Sequence, residues 1–513
     1  MDPIELNIFT SRLAAVCDEM GVVLRNAAFS PNIRDRLDFS CAVFDARGKL
    51  CAQAAHIPVH LGSMAFAMAD IVARVAWQPG DMLVLNDPFL GGTHLPDVTL
   101  VAPLFCEGQL TAFLVNRAHH ADIGAASPGS MPLSRDLQEE GRVIPPGRLL
   151  RRGELDRAFL EQLTASNRNP VESVGDYNAQ ISANQRGLQR LGELLDGWGR
   201  RPFLQGLDEL NAYAERLARN ALARIPQGDY AFTDWMDDDG QGHRDIPIQA
   251  RIGVTRDGVE VDFSGSAPQV AGNINCPLAV AAAAVFYVFR CLMPPQTPAC
   301  AGAFRPIHLH APAGCLLNAR RPAAVAAGNV ETSTRVVDVV LGALAQALPA
   351  EIPAASHGSM NNLAMGSDAP GRRWDYYETL GGGMGAGPRG GGLDGVQTHM
   401  TNTLNTPIEV LEGRFPLRIT RYAIRRGSGG AGAHPGGNGL VREFEFLQPA
   451  RVTLLSERRL RPPWGLAGGG PGAPGRNLLD GRPLPGKAAC TVQAGQRLTI
   501  ETPGGGGFGG QDA

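Results

Sequence analysis

Lysine is nearly absent from this chain of 513 residues, which places it only at Lys49 and Lys487 and leaves the remaining positive charge to arginine. Neither lysine follows the glycine spacing of a P-loop, so the chain has no Walker-type phosphate cradle and a catalytic lysine is disfavoured. Paired cysteines are missing as well. The nine cysteines, scattered from Cys17 to Cys490, form no C-x-x-C and are odd in number, which argues for reduced, mostly buried thiols and against a disulfide framework or zinc ribbon. Charge of one sign is also lacking: the net charge is -3 and no basic run occurs, so there is no electrostatic footprint for nucleic acid. No apolar run approaches the roughly 18 residues of a membrane span. The longest, from Leu278 to Phe289, reads as a buried helix, and the opening MDPIELNIFT has no charged segment followed by an apolar one. The expectation is a soluble cytoplasmic protein.

What the chain does have is apolar content. Hydrophobic residues make up 44% of it, enough for a composite core or for roughly two to four domains. Helical spacing from Ile4 to Leu24 predicts an amphipathic helix after Pro3 that stops before Pro31. Strand character follows from Asp38 to Phe44 and, through a turn, from Leu50 to Gln53; a helix with Ser63 as its N-cap is expected next. Further helices are expected from about Gly153 to Ser166, Asn178 to Leu195 and Leu207 to Ile225, with a polar loop from Asn167 to Asp176. After Pro226 the pattern changes to short alternating runs such as Ile248 to Val254 and Val259 to Phe263. From Gly328 on, clusters such as AAGNVETS, TLGGGMGAGPRGGG and TPGGGGFGG read as tight loops between β-like runs rather than as phosphate cradles. The expected class is α+β: a large multi-lobed mixed fold, with an α/β N-terminal half and a β-rich, glycine-rich C-terminal half. Its expected divisions are a metal-binding α/β region (1–225), a central mixed α/β region (226–400) and a β-rich C-terminal region (401–513).

The chemistry concentrates between Asn86 and Gly124. His94 and Asp97 stand in a loop between the strand-like runs Met82 to Leu85 and Val98 to Phe105, and a further run, Leu110 to Val115, leads to His119, His120 and Asp122. A turn at Glu107-Gly108 would make a hairpin of the last two runs and return these residues to the sheet end that carries His94 and Asp97. Imidazole nitrogens and carboxylate oxygens converging there suit a borderline divalent ion, which also needs a vacant position. Asp38 is either a third carboxylate for that ion or a salt-bridge partner of Arg34 or Arg36. His56 and His60, with Gly62 and Ser63, precede a helix start whose amides could meet an anion or simply open the helix. His308 and His310 share a strand face, but binuclear sites of that kind commonly use a carboxylated lysine, which this chain can scarcely supply. The segment Glu378 to Met400, with Arg389 and His399, is the glycine-rich loop best suited to face a substrate.

The blocks RLDFSCAVFDARGKL, AAHIPVHLGSM, NDPFLGGTHLPDVTLVAPLF and NRAHHADIGAASPGSMP resemble the signature blocks of the hydantoinase B/oxoprolinase family, and NRNPVESVGDYNAQISAN, DFSGSAPQVAGNINCP, AVAAGNVETSTR, PAASHGSMNN and TPGGGGFG agree in order over almost the whole chain. That family includes the B-type components of ATP-dependent N-methylhydantoinases, caprolactamase and 5-oxoprolinase, and is related to the large subunits of acetone and acetophenone carboxylases. The resemblance implies one divalent metal held by Asp38, His94, Asp97 and His119. His120 and Asp122, next to the last of these in sequence, are expected to flank the ligands and to orient an imidazole or move a proton.

It also implies a division of labour. Unstrained cyclic amides are poor electrophiles, and in the family a hydantoinase A-type partner with a kinase-like ATP site phosphorylates the ring carbonyl oxygen. The expected role of this chain is the B-type component of such an ATP-dependent hydrolase of hydantoins, 5-oxoproline or lactams, in which a metal-bound water attacks the activated carbon. Two Asp and two His leave zinc, manganese and iron open. Alternatives are the large subunit of an ATP-dependent ketone carboxylase, a non-catalytic scaffold component, and an amidohydrolase that needs no ATP.

Overall fold

The structure, a computed structural model, describes residues 1–54, 56–371 and 373–510. The first helix, α1 (Pro3–Ala27), starts where the sequence asks: the Asp2 side chain accepts from the Ile4 and Glu5 amides while Glu5 accepts from the Asp2 amide. After a short α2 (Pro31–Arg34), strands β1 (Phe39–Asp45), β2 (Leu50–Gln53), β3 (Met82–Leu85), β4 (Asp97–Cys106), β5 (Gln109–His119), β6 (Gly147–Arg151) and β7 (Glu154–Leu155) form a seven-stranded sheet ordered β2-β1-β5-β4-β3-β6-β7. Every pairing in it is antiparallel. The β4–β5 hairpin closes through Glu107 and Gly108, at φ 52° and 71°, the primed turn that matches strand twist.

Both faces of this sheet are covered, and strict alternation sorts its side chains between them. Phe39, Cys41 and Val43 of β1, with Ala112, Leu114 and Ala118 of β5, join one apolar cluster with α1 and α5 (Pro170–Trp198). Ala42 and Phe44, Phe113 and Val115, and Val101 of β4 join another with α3 (Pro58–Arg74). The helix expected to begin at Ser63 thus begins earlier, with Ile57 as N-cap and Pro58 in the first turn: proline at that position supplies the start signal that the sequence reading assigned to Ser63.

Helices α4 (Arg157–Thr164), α5 and α6 (Arg200–Leu222) follow. Two expectations are corrected here. Gly153 lies in the β6–β7 turn, so α4 starts only after the cap Asp156. Most of the polar stretch Asn167 to Asp176 is helical, because Asn169 caps α5 through the Glu172 amide and Pro170 opens it.

A second sheet, ordered β11-β10-β9-β8, comprises β8 (Gly228–Asp238), β9 (Arg244–Val254), β10 (Val259–Asp262) and β11 (Ile307–His310), packed with α7 (Leu278–Leu292) and α8 (Ser333–Leu344). His308 and His310 are exposed on β11. AAGNVETS, expected as a loop, is instead a buried π-turn, Gly328–Thr332, that runs straight into α8.

The remaining elements are β12 (Asn362–Ser367), β13 (Trp374–Glu378), α9 (Ile408–Arg414), β14 (Leu417–Arg425), β15 (Gly439–Phe446), β16 (Ala450–Leu455), β17 (Arg476–Leu479), β18 (Arg482–Leu484), β19 (Lys487–Val492) and β20 (Arg497–Glu501). They make a four-stranded sheet, β13-β12-β16-β19, and a five-stranded one, β14-β15-β20-β17-β18. The first joins strands from both sides of residue 400. Several glycine-rich loops hydrogen-bond one another, as in Gly505 to Gly437, Gly430 to Gly505 and Gly507 to Gly470, so those amides are not presented to an anion. The result is the mixed α/β fold expected, with a β-rich C-terminal half. Among the described residues no helix is long and apolar enough to cross a membrane.

Buried ions tie the second sheet to the C-terminal strands. Arg458 meets Asp234 of β8 at 2.7 Å and Asp338 of α8 at 2.5 Å, while Glu457 accepts from Lys487 of β19 at 2.5 Å and lies 3.3 Å from Arg335 of α8. Breaking one partner would leave the others desolvated and unpaired. One of the two lysines is thereby structural, and the other, Lys49, is exposed.

Helix α3 reaches α7 through Gly62, where an added Cβ would lie 2.6 Å from Ala283 Cα. Gly62→Ala should therefore destabilise the protein by about 1–3 kcal/mol, read as a lower denaturation midpoint; an unchanged midpoint would contradict this packing.

Candidate metal centre

The register of one hairpin builds the site. Asp97 opens β4 directly opposite His119 at the end of β5. By the alternation described above, both point to the face covered by α3, as do Asp38 and Ser40 before and within β1. Helix α3 adds His60 from its first turn, and the loop before β4 adds His94.

The Asp97 carboxylate is the hub. Its Oδ2 accepts from the Thr93 hydroxyl and lies 3.1 Å from His60 Nε2, whose Nδ1 lies 3.1 Å from Ser40 Oγ. Its Oδ1 has no hydrogen-bond partner among the described residues, and stands 3.1 Å from His94 Nε2 and 3.2 Å from His119 Nδ1. One oxygen is thus fixed and the other is left facing two imidazoles. His94, Asp97 and His119 each offer a ligand atom within 4.8 Å of the others, all three residues buried.

These atoms look into a cavity of about 20 Å³, lined also by Asp38, Asn329, Tyr377 and Thr379, with Ile57, Val330, Met360 and Met400 as apolar wall. That is room for little more than one water-sized species. Asp38 lines the cavity but stands outside the tight trio, with its Oδ2 3.8 Å from the buried Arg36. Asp38 thus borders both the cavity and Arg36.

Charge balance points the same way. Burial opposes ionisation of Asp97, yet His94 and His60 with their hydrogen bonds hold its carboxyl well below the usual range. Burial disfavours the His94 imidazolium, but the Asp97 and Asp38 carboxylates outweigh it and raise the pKa. For His119 burial prevails and lowers it. A buried carboxylate thus needs a cation, and a divalent ion would meet that need with both imidazoles neutral. Orphaned Asp97 Oδ1 and His94 Nε2, together with an N, N, O donor set, fit such an ion.

Aromatic packing fixes His119. Tyr377 of β13 stacks on it with centroids 4.6 Å apart at 12°, donates its hydroxyl to Asn362 Oδ1 at 2.6 Å, and carries the Arg36 guanidinium 5.0 Å from its ring centroid. The C-terminal half thereby roofs a site built by the N-terminal sheet.

His120 and Asp122 are placed elsewhere. Alternation turns His120 to the α5 face, where Nε2 lies 2.9 Å from Gln180 Oε1 and the ring packs on Tyr177. Asp122 accepts from the Gly124 and Arg168 amides and pairs with the Arg168 guanidinium. Neither lines the cavity, so the proton-moving role expected of them finds no support in their positions. Of the segment Glu378 to Met400, Thr379 and Met400 reach the cavity, while Arg389 is exposed. His399 sits by Tyr287, Nδ1 3.4 Å from its hydroxyl. Sequence reading missed Thr93, Tyr377 and Asn329, and took His60 for part of a helix start.

The profile of the hydantoinase B/oxoprolinase family matches residues 2–511. This chain belongs to that family. It is 40% identical to 5-oxoprolinase 1 of Arabidopsis thaliana, aligned over 99% of this chain but 42% of that protein, so it spans about two-fifths of that relative. It is 31% identical to the B component of a putative D-/L-hydantoinase of Pseudomonas sp. (strain NS671), over 99% of this chain and 90% of the other. Among solved structures, the ATP-dependent caprolactamase from Pseudomonas jessenii superposes with a TM-score of 0.93 at 29% identity, covering 99% of this chain and 91% of that one.

Two outcomes follow. Asp97→Ala should weaken metal affinity by at least about 100-fold in competition with a chromophoric chelator, whereas His120→Gln should leave it nearly unchanged; equal effects would contradict the ligand assignment. Glu331, whose carboxylate accepts from the Met360 amide and Asn362 Nδ2, is pushed up to about 8 by burial and by Glu457. A raised carboxyl stabilises fully below its unfolded value of about 4.3 and loses that contribution as pH rises through about 8. Glu331→Gln should therefore flatten the fall in melting temperature between about pH 5 and 8; an unaltered slope would contradict the shift.

Proposed function

We propose that this chain is the B-type half of an ATP-dependent cyclic-amide hydrolase that opens hydantoin, 5-oxoproline or lactam rings together with a hydantoinase A-type, ATP-binding partner. The observation that carries this is the convergence of His94, Asp97 and His119 on one buried cavity, in a chain similar along nearly its whole length to a caprolactamase and to the 5-oxoprolinases. Relatives named as an ATP-dependent enzyme and as the B component of a hydantoinase support a nucleotide-using partner.

In this reading His94, Asp97 and His119, joined by Asp38, hold one divalent ion, zinc, manganese or iron. Such an ion supplies Lewis acidity, which polarises a carbonyl and makes water acidic enough to furnish a nucleophile near neutral pH. The protein's own part is positional. Thr93 and His60 tie down Asp97 Oδ2 and so aim Oδ1 at the ligand position. Tyr377 keeps the His119 ring from turning. Ile57, Val330, Met360 and Met400 keep bulk water out, which strengthens every charge interaction inside. His60 also links Asp97 to Ser40, a short path along which a proton can be held. His120 and Asp122 secure the end of β5 and the loop after it.

Reconstitution with an A-type chain should give ATP-dependent opening of 5-oxoproline, hydantoin or caprolactam. Chelation should abolish it, and zinc, manganese or iron should restore it. Full activity in metal-free protein, turnover by the isolated chain without nucleotide, or bicarbonate fixation onto acetone in place of hydrolysis would each overturn the reading.

A further inference from the structure

We propose that Asn329 is the side chain that reads the substrate's amide group, its carboxamide pairing with the N–H and C=O that a small ring holds on one side. This rests on the cyclic-amide reading above and adds to it the residue that recognises the amide.

Asn329 lines the same cavity as His94, Asp97 and His119. It is 3% exposed, and its Oδ1 is buried with no hydrogen-bond partner among the described residues. Buried side-chain acceptors in folded proteins are nearly always paired, so an unpaired one beside a candidate reaction centre asks for a ligand. Nothing about the position is loose. Asn329 sits in the π-turn Gly328–Thr332, a rare conformation that frequently occurs at functional sites. The turn is clamped on several sides: a Cβ on Gly328 would lie 1.8 Å from Asn275 O, Thr332 Oγ1 donates to Ile274 O at 2.6 Å, and Ser333 Oγ donates to Asn329 O at 2.5 Å. Glu331, two residues on, receives the Met360 amide at 2.9 Å and Asn362 Nδ2 at 2.7 Å. The backbone that carries the carboxamide is therefore fixed before any ligand arrives.

Its chemistry matches one class of ligand closely. A primary carboxamide presents one acceptor oxygen and an N–H donor side by side. Rings of five to seven members force their amide into the cis form, which presents the complementary donor and acceptor at the same spacing. Two parallel hydrogen bonds then hold the ring before its carbonyl oxygen is activated; of the two, the bond from the ring N–H to the unpartnered Oδ1 does not use that oxygen and persists with the amide carbon beside the metal ligands. An ester of the same ring lacks the N–H, and an N-methyl amide blocks it. The cavity, at about 20 Å³, is smaller than such a ring, so binding moves part of its wall. Met360 and Met400, unbranched and flexible, are the lining residues able to give way.

The test is calorimetric binding to the full metal-loaded chain. Probes are 2-pyrrolidone and caprolactam against γ-butyrolactone, caprolactone and N-methylcaprolactam, with 5-oxoproline and hydantoin included. Wild type should prefer the N–H amides over their lactone and N-methyl counterparts by about 10–100-fold, the cost of leaving one buried acceptor unpaired. Asn329→Ala should remove that preference while metal content and melting temperature stay unchanged. Asn329→Leu, near in shape, serves if the alanine variant fails to fold. Wild-type discrimination that survives either substitution, or a loss of affinity equal for amide and lactone, overturns the role of Asn329 alone. Folded, metal-loaded wild type that binds no cyclic amide overturns the cyclic-amide reading and this proposal with it.

Discussion

A carboxylate buried where two strands end is the constraint around which the rest of the structure is arranged. Asp97 lies opposite His119 because β4 and β5 pair without slippage at that end, and period-two alternation sends both side chains to the α3 face. A slip of one residue would exchange His119 for His120 and send the site's imidazole to the α5 face, against Gln180 and Tyr177. Burying an anion costs several kcal/mol even after relaxation. The surroundings offset it with a hydroxyl from Thr93, the ring of His60, and two further imidazoles. Those same groups leave one oxygen unpaired, and that combination of anionic charge and a free oxygen makes the cavity suited to a cation.

The distant parts of the chain serve this centre. Tyr377 and Thr379 come from and just after a strand of the C-terminal sheet, Asn329 and Val330 from a π-turn, and Met400 from a glycine-rich connection. Each is positioned by its own buried network, such as the Glu331, Met360 and Asn362 cluster. Assembly from so many segments explains why relatives of this chain align with it end to end: little of it can be removed without opening the site's roof or floor.

How far the sequence foretold this depends on what each feature rests on. The β4–β5 hairpin, α1 and the two strands after Asp38 were legible because periodicity and turn residues act locally. So was the meeting of His94, Asp97 and His119, once a hairpin was granted. His60 was visible as a residue but not as a participant, because only the packing of α3 on the sheet brings it to Asp97. Tyr377 and Asn329 gave no signal at all: an aromatic in WDYYE reads as core, and a glycine-containing AAGNVETS reads as a turn. The roles expected of His120 and Asp122 followed from nearness in sequence, whereas alternation along a strand places adjacent residues on opposite faces. Helix boundaries near Ser63 and Asn167 were misjudged where a capping asparagine or a first-turn proline gave the stronger cue.

Anomalous diffraction from crystals of the metal-loaded chain tests the central claim most directly. A single peak is expected within bonding distance of His94, Asp97 and His119, with Asp38 facing it. A peak located elsewhere, or none at those three side chains at full metal loading, would contradict it.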